Sequence, residues 1–192
     1  MARWQGGARE RLQAAALERF AEQGFDGTTV AEIAATAGLT ERTFFRYFTD
    51  KREVLFQGQD DFERRFISAI DEAEDGADPM STVGAALNRG GSFFQEERRT
   101  WSRARNAVIE ADPGLREREL LKLSLLAVAM ADALRERGVD GTVATLAAES
   151  GVTVFRVAFA KWVAEDETRP FPDLLTATVA ELRDLVSPVL TG

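Results

Sequence analysis

The run Thr40-Glu41-Arg42-Thr43-Phe44-Phe45-Arg46-Tyr47 gathers hydroxyls, guanidinium groups and aromatic rings at helical spacing. These types suit the recognition of a nucleic acid. A guanidinium can bond guanine O6 and N7 in a bidentate fork, and a ring can meet a thymine methyl. On one helix, Phe44 and Phe48 fall on the inner side, facing Val30, Ile33 and Leu12. Glu41, Arg42, Thr43, Phe45 and Arg46 fall on the outer side. Thr28 and Thr40 are placed at helix N-termini, where a hydroxyl and unbonded backbone N–H groups suit a phosphate. Tyr47 and Lys51 follow one and two turns later, where a flanking phosphate would lie. Glu41 has three readings: it orients Arg42, accepts from cytosine N4, or favours the helix N-terminus through the dipole. Arg3 and Arg9 precede the first helix and are candidates for backbone or minor-groove contact. The plain alternative, that Arg42 and Arg46 are ordinary solvated residues, has to be weighed against the elements that carry them.

Those elements are all helical. A first helix is expected from about Ala8 to Gln23, with Leu12, Ala16, Leu17 and Phe20 on one face and Gly24 as its stop. A short second helix follows Thr28, carrying Val30, Ile33, Ala34 and Ala37. Gly38 supplies a turn and Thr40 caps a third helix. Two short helices joined through a glycine turn and braced by a third form a helix-turn-helix, whose second member enters the major groove. Asp50 and Glu53 have the spacing of a capping box. They predict one long helix running on through Leu55, Phe62, Phe66, Ile70 and Ala73. Asp78-Pro79 and Asp112-Pro113 mark two further starts, and Gly138 ends the helix begun at Pro113. Another helix is expected over about Gly141 to Ala164. A last one from near Pro172 would bury Leu175, Thr178, Val179, Leu182, Leu185 and Val186. The expectation is an all-α chain of about nine helices. An N-terminal helix-turn-helix domain (1–50) precedes a helical bundle for ligand binding and dimerisation (51–192).

Residues 9–56 resemble the DNA-binding domain of the TetR family. The resemblance rests on Ala15 to Phe25, on Thr28-Thr29-Val30, Ile33-Ala34 and Ala37 to Thr40, and on Thr43-Phe44-Phe45, Tyr47-Phe48 and Lys51. It implies a homodimer that binds a palindromic double-stranded operator, usually as a repressor, and releases it when a small molecule enters the C-terminal domain. Carried over by position, Thr28, Thr40, Tyr47 and Lys51 match phosphate contacts, whereas Arg42, Thr43 and Phe45 match positions facing bases. Phe45 stands where the family usually has tyrosine, and Arg42 where a small residue or proline is common. The segments Trp101 to Arg105, Asp112 to Arg116 and Lys161-Trp162 faintly resemble the acyl-CoA-sensing subgroup. By that resemblance Arg103 or Arg105 would meet an anionic ligand group, the alternative being an ion pair with Glu96 or Glu97.

The composition restricts other readings. The net charge is −8, yet residues 1–56 hold equal numbers of acidic and basic side chains, so the excess acidity lies behind them. With no cysteine and no histidine, thiol chemistry is excluded and the commonest general base and metal ligand are missing. The acidic groups Asp60-Asp61 and Glu72-Glu74-Asp75 lack the Glu/His spacing of a di-metal site. An enzyme, a metal centre and a cofactor are therefore not expected. A helical enzyme, and an interaction module using the acidic half, are the competing classes. No secretory leader and no bilayer-length apolar run are read, which suggests a cytoplasmic protein. Leu120 to Ala133 is nearly all apolar and is expected at the centre of the bundle. Phe94, Trp101, Arg105, Met130, Phe155 and Phe159 are the candidate lining for a small apolar or amphipathic effector. Val143, Ala147, Ser150, Val154 and Val157 form a candidate dimer stripe, with the last helix beside it.

Overall fold

The structure, a computed structural model, describes residues 7–56 and 58–187, and every regular element among them is a helix. In chain order these are α1 (Ala8–Gly27), α2 (Val30–Thr36), α3 (Glu41–Tyr47), α4 (Glu53–Phe56) and α5 (Gln59–Asp71). There follow α6 (Pro79–Gly91), α7 (Glu96–Ala111), α8 (Pro113–Glu136), α9 (Gly141–Trp162) and α10 (Phe171–Val186). The all-α class is as read from periodicity. Since α4 is a single turn, the count also agrees.

The chain forms two compact units. Unit 1 is Met1–Gly58 with Ala104–Glu117; unit 2 is Gln59–Arg103 with Arg118–Gly192. Each of α7 and α8 thus contributes residues to both. The single long helix expected from Asp50 does not form. Asp50 does cap, its Oδ1 accepting from the N–H groups of Arg52 at 2.7 Å and Glu53 at 3.0 Å. However, α4 stops at Phe56 and α5 starts at Gln59, with Gly58 between them at φ +89°. That backbone conformation cannot continue a right-handed helix.

In unit 1, Leu12, Ala15, Ala16, Leu17 and Phe20 are the buried face of α1. They share a core with Ile33, Ala34, Phe44, Phe48, Val54 and Leu55. Gly24 sits at φ 78°, ψ 166°, a kink inside α1. Only glycine occupies this region readily. The kink also sets the Gly24 carbonyl to accept from the Thr28 hydroxyl at 2.8 Å. Gly24→Ala is therefore expected to destabilise unit 1 by about 1–3 kcal/mol, read as a lower urea midpoint. An unchanged midpoint would show that the kink relaxes at no cost.

Unit 2 packs α5, α6, α9 and α10 around one apolar core that includes Phe66, Ile70, Val83, Leu87, Met130 and Trp162. The expected aspartate starts are present: Asp78 accepts from Ser81 N at 2.8 Å, and Asp112, in unit 1, from Leu115 N at 2.8 Å. Asp140 caps α9 as well, accepting from Thr142 N at 3.0 Å. Two expectations need correction. The apolar run of α8 is not enclosed on all sides: Leu126, Ala127 and Met130 are buried, but Leu121, Leu125 and Val128 are more than half exposed. Likewise α10 buries Leu174, Leu175 and Thr178, while Leu185 is 73% exposed and Val186 also faces solvent. The sequence shows that these side chains are apolar; among the described residues nothing covers them. By length and composition α9 could also cross a bilayer, although no run of that kind was read from the sequence. Here its inner face, including Ala144, Ala148, Val152 and Phe155, belongs to the core.

Candidate nucleic-acid interface

The recognition helix is held by caps at both ends of the turn before it. The N–H of Gly38 donates to Ala35 O at 3.0 Å and that of Leu39 to Ala34 O at 2.8 Å. This pair of bonds is the Schellman closure, and it ends α2 cleanly. Thr40 then opens α3, its Oγ1 accepting from Thr43 N at 3.2 Å and lying 3.0 Å from Thr43 Oγ1. Below the helix, Phe44 is fully buried and Phe48 nearly so, their ring centroids 5.2 Å apart. With the inner face anchored, Glu41, Arg42, Phe45 and Arg46 are exposed and Thr43 half-buried. Phe45 is 55% exposed, unusual for so large an apolar ring. Among the described residues Arg42 makes no hydrogen bond or ion pair and remains available. Arg46 stacks over the Tyr47 ring at 4.9 Å and donates to its hydroxyl at 3.1 Å; Arg9 also lies over that ring, at 5.7 Å. Arg3 lies outside the described residues.

Two residues expected at phosphates occupy interior roles. The cap of α2 is Thr29, not Thr28: Glu32 N donates to Thr29 Oγ1 at 3.2 Å, and Thr29 N to Glu32 Oε2 at 2.8 Å. This capping box holds the Glu32 carboxyl below the usual carboxylate range, chiefly through the Thr29 N–H. Thr28 is only 1% exposed, and its hydroxyl donates to Gly24 O and Arg19 O. Lys51 turns inward as well. Its Nζ donates to Phe25 O at 2.6 Å and Thr28 O at 2.9 Å, and lies 4.3 Å from the Phe25 ring centre. It ties the α1–α2 turn to the segment that follows α3.

The six residues expected to line an effector site do not all meet. Phe94, Phe155 and Phe159 do, with centroids 5.5–6.0 Å apart in a larger ring cluster of unit 2. Met130 is fully buried in the same core. Trp101 is half-buried on α7. Arg105 belongs to unit 1, where its Nε donates to Leu55 O at 2.7 Å and its guanidinium lies over the Phe56 ring. Arg103 is turned to backbone carbonyls rather than to Glu96 or Glu97. Arg103 donates to Val163 O and Ala164 O, both at 2.8 Å, and Glu96 pairs with Arg99 instead. A shallow cleft of about 340 Å³ in unit 1 is lined by Phe25, Asp26, Arg52 and Asp112 to Leu115, and by none of the six. Sequence reasoning missed Arg99, the deeply buried arginine of α7. Its neighbours Arg98, Arg103 and Arg105 give it no distinguishing local signal.

A helix-turn-helix with an anchored inner face and a cationic, aromatic outer face defines a DNA-binding transcriptional regulator. Comparison with known proteins agrees. Residues 12–57 match the family model described as bacterial regulatory proteins, tetR family, and residues 77–187 match that of the MftR C-terminal domain. The chain belongs to the TetR family. The transcriptional regulator TcmR of Streptomyces glaucescens is 34% identical over 79 residues, 41% of this chain and 35% of TcmR. The matched segment thus spans about a third of that regulator's length. Among solved structures, a TetR-family regulator from Syntrophomonas wolfei superposes with TM-score 0.65 at 19% identity, covering 93% of this chain and 94% of that one. FadR of Bacillus subtilis, solved in complex with stearoyl-CoA, superposes with TM-score 0.61 at 19% identity, covering 90% and 96%. At such identities the likeness establishes the fold.

Proposed function

We propose that the chain binds a palindromic operator as a homodimer, represses the adjacent genes in the cytoplasm, and is released by a small apolar or amphipathic effector. In this reading the first 50 or so residues carry operator recognition, and the bundle behind them carries sensing and dimerisation. The observation that supports it best is the exposed face of α3, on which Arg42 is uncommitted while Phe44 and Phe48 fix the helix beneath it. Thr40, Glu41, Thr43, Phe45, Arg46 and Tyr47 supply the remaining contacts. Thr28 and Lys51 act from inside by holding the turn.

Support for dimerisation comes from apolar side chains that the single chain leaves in solvent: Leu121, Leu125 and Val128 on α8, and Val143, Leu146 and Val157 on α9. Ala147 and Val154, read as part of the stripe, turn into the core instead. A two-fold partner would cover such faces, and its symmetry would match a palindrome. The aromatic core of unit 2 offers an apolar lining for an effector, and the complex of FadR with stearoyl-CoA makes an acyl-bearing molecule the first to try.

The test is fluorescence anisotropy on duplexes tiled from the upstream region of the gene, wild type beside Arg42→Ala. One palindromic tile should bind tightly and with salt sensitivity. The substitution should weaken it by about 1–3 kcal/mol and relax preference at one base pair. No binding to any duplex at low salt, where non-specific contacts strengthen, would overturn the reading.

A further inference from the structure

Buried N–H groups almost always find an acceptor, because an unmet donor forfeits the hydrogen bonds that water gave it. Among the described residues, Arg99 Nε and Trp162 Nε1 belong to a small set of side-chain nitrogens buried without one. Both side chains lie deep in unit 2, Arg99 at 6% exposure and Trp162 at 0%. They also touch each other, the Arg99 guanidinium lying 5.3 Å from the indole ring centre. Two unmet donors in one contacting pair are harder to attribute to chance than two scattered ones.

Both Nη atoms of the Arg99 guanidinium are engaged. Nη1 donates to Glu167 O and Nη2 to Arg169 O, and Glu96 adds an ion pair at 3.0 Å. These bonds fix the group, so its Nε–H is a preorganised donor. Three rings stand around the indole besides the Arg99 guanidinium: Phe94, Phe159 and Phe171, at 5.7, 6.0 and 5.5 Å between centroids. They supply apolar surface and no acceptor oxygen. Phe94 and Phe159 are half-buried, so the cluster reaches the surface at that side. Phe94 lies between α6 and α7, in the four residues that separate Gly91 from Glu96. A short irregular link can yield more readily than a ring held within a helix.

We propose that Arg99 and Trp162 form the polar end of a ligand site. It takes an amphipathic molecule whose apolar body displaces Phe94 and whose terminal oxyanion accepts from Trp162 Nε1–H and Arg99 Nε–H. This deepens the effector reading above, and rests on it, by naming the ligand's chemistry and the residues that select it. It also moves the anion-recognising role from Arg103 and Arg105, whose guanidinium groups are bonded to backbone carbonyls.

Two probes with one aromatic body separate the oxyanion from the apolar contribution. 8-Anilinonaphthalene-1-sulfonate carries the acceptor, and N-phenyl-1-naphthylamine lacks it. On the full chain the sulfonate should bind at least about tenfold more tightly, the size of a hydrogen bond to a charged group. Trp162→Phe keeps a ring and removes the N–H. It should weaken the sulfonate about tenfold and leave the neutral probe within about twofold. The indole N–H proton resonance of Trp162, identified by elimination with Trp4→Phe and Trp101→Phe, should move downfield with the sulfonate and not with the neutral probe. That measurement decides the matter if Trp162→Phe does not fold. Equal affinity for the two probes, an unmoved indole resonance, or binding of neither probe would each overturn the site. Failure of the operator reading would appear in the duplex titration instead, and would leave this comparison intact.

Discussion

Phe44→Ala should cost unit 1 about 3–5 kcal/mol, the usual range for deleting a buried aromatic side chain, and should abolish specific operator binding. Phe44 has no exposed surface, and its ring meets those of Phe45 and Phe48 at 5.4 and 5.2 Å. It is the only residue of α3 that is buried. A helix of seven residues is far below the length that holds itself in water. Its position therefore depends on that side chain and on the Thr40 cap. A unit of about 70 residues has a total stability of roughly 4–11 kcal/mol, so the loss would consume a large part of it. Urea unfolding followed by circular dichroism, beside operator anisotropy, checks both halves of the expectation. Phe44→Leu should retain most of the stability by keeping volume. If Phe44→Ala left both the midpoint and the operator affinity unchanged, the account of how α3 is anchored would be wrong.

The second large effect belongs to Lys51, and it separates two roles that would both weaken DNA binding. The family resemblance implies a phosphate contact. The structure has the ammonium bonded to Phe25 O and Thr28 O and set against the Phe25 ring. Lys51→Met keeps much of the apolar stem and removes the donors. Hydrogen bonds with a charged partner contribute about 1.5–3 kcal/mol, so the turn between α1 and α2 should loosen and operator affinity should fall about 10- to 150-fold. The salt dependence tells the roles apart. A neutralised phosphate contributes about 0.9 to the slope of log K against log salt, and a side chain that only braces the turn contributes nothing. We expect the slope to be the same in wild type and Lys51→Met. A slope shallower by about one in the variant would return Lys51 to the phosphate backbone.

Much of the fold was legible because caps and left-handed glycines are local chemistry. Thr40, Asp78 and Asp112 each accept a backbone N–H within three residues, and Gly24, Gly38 and Gly138 have positive φ where a helix stop or a turn is expected. The sequence does carry a signal for the α2 cap. Threonine followed three residues later by glutamate singles out Thr29 with Glu32, and adjacent Thr28 has no such partner. The break at Gly58 was less visible, since Leu55, Phe62, Phe66 and Ile70 keep helical spacing across it. The outer face of α3 followed from spacing alone.

The effector lining was legible only in part, for a different reason. Aromatic side chains such as Phe94, Phe155 and Phe159 announce a core. Which of several arginines on one helix is buried depends on the elements packed against it. Arg99 reaches carbonyls 68 and 70 residues away, and no local pattern encodes that. The same holds for α8: composition gives its apolar character, but not whether this chain or another surface covers Leu121 and Leu125.

The helix-turn-helix unit is not a contiguous stretch of the polypeptide. Ala104–Glu117 belongs to it, bringing Val108, Ile109 and Leu115 as buried side chains and Arg105 as the donor to Leu55 O. A gene fusion or recombination event with its seam just after Gly58 would carry away the helix-turn-helix without these pieces. Exchange of whole segments between relatives is therefore a poor route to new operator preferences in this lineage. Single-codon changes at Glu41, Arg42, Phe45 and Arg46 face no such obstacle, because those side chains are exposed. The interleaved chain makes the two halves co-inherited, while the reading surface stays open to stepwise change.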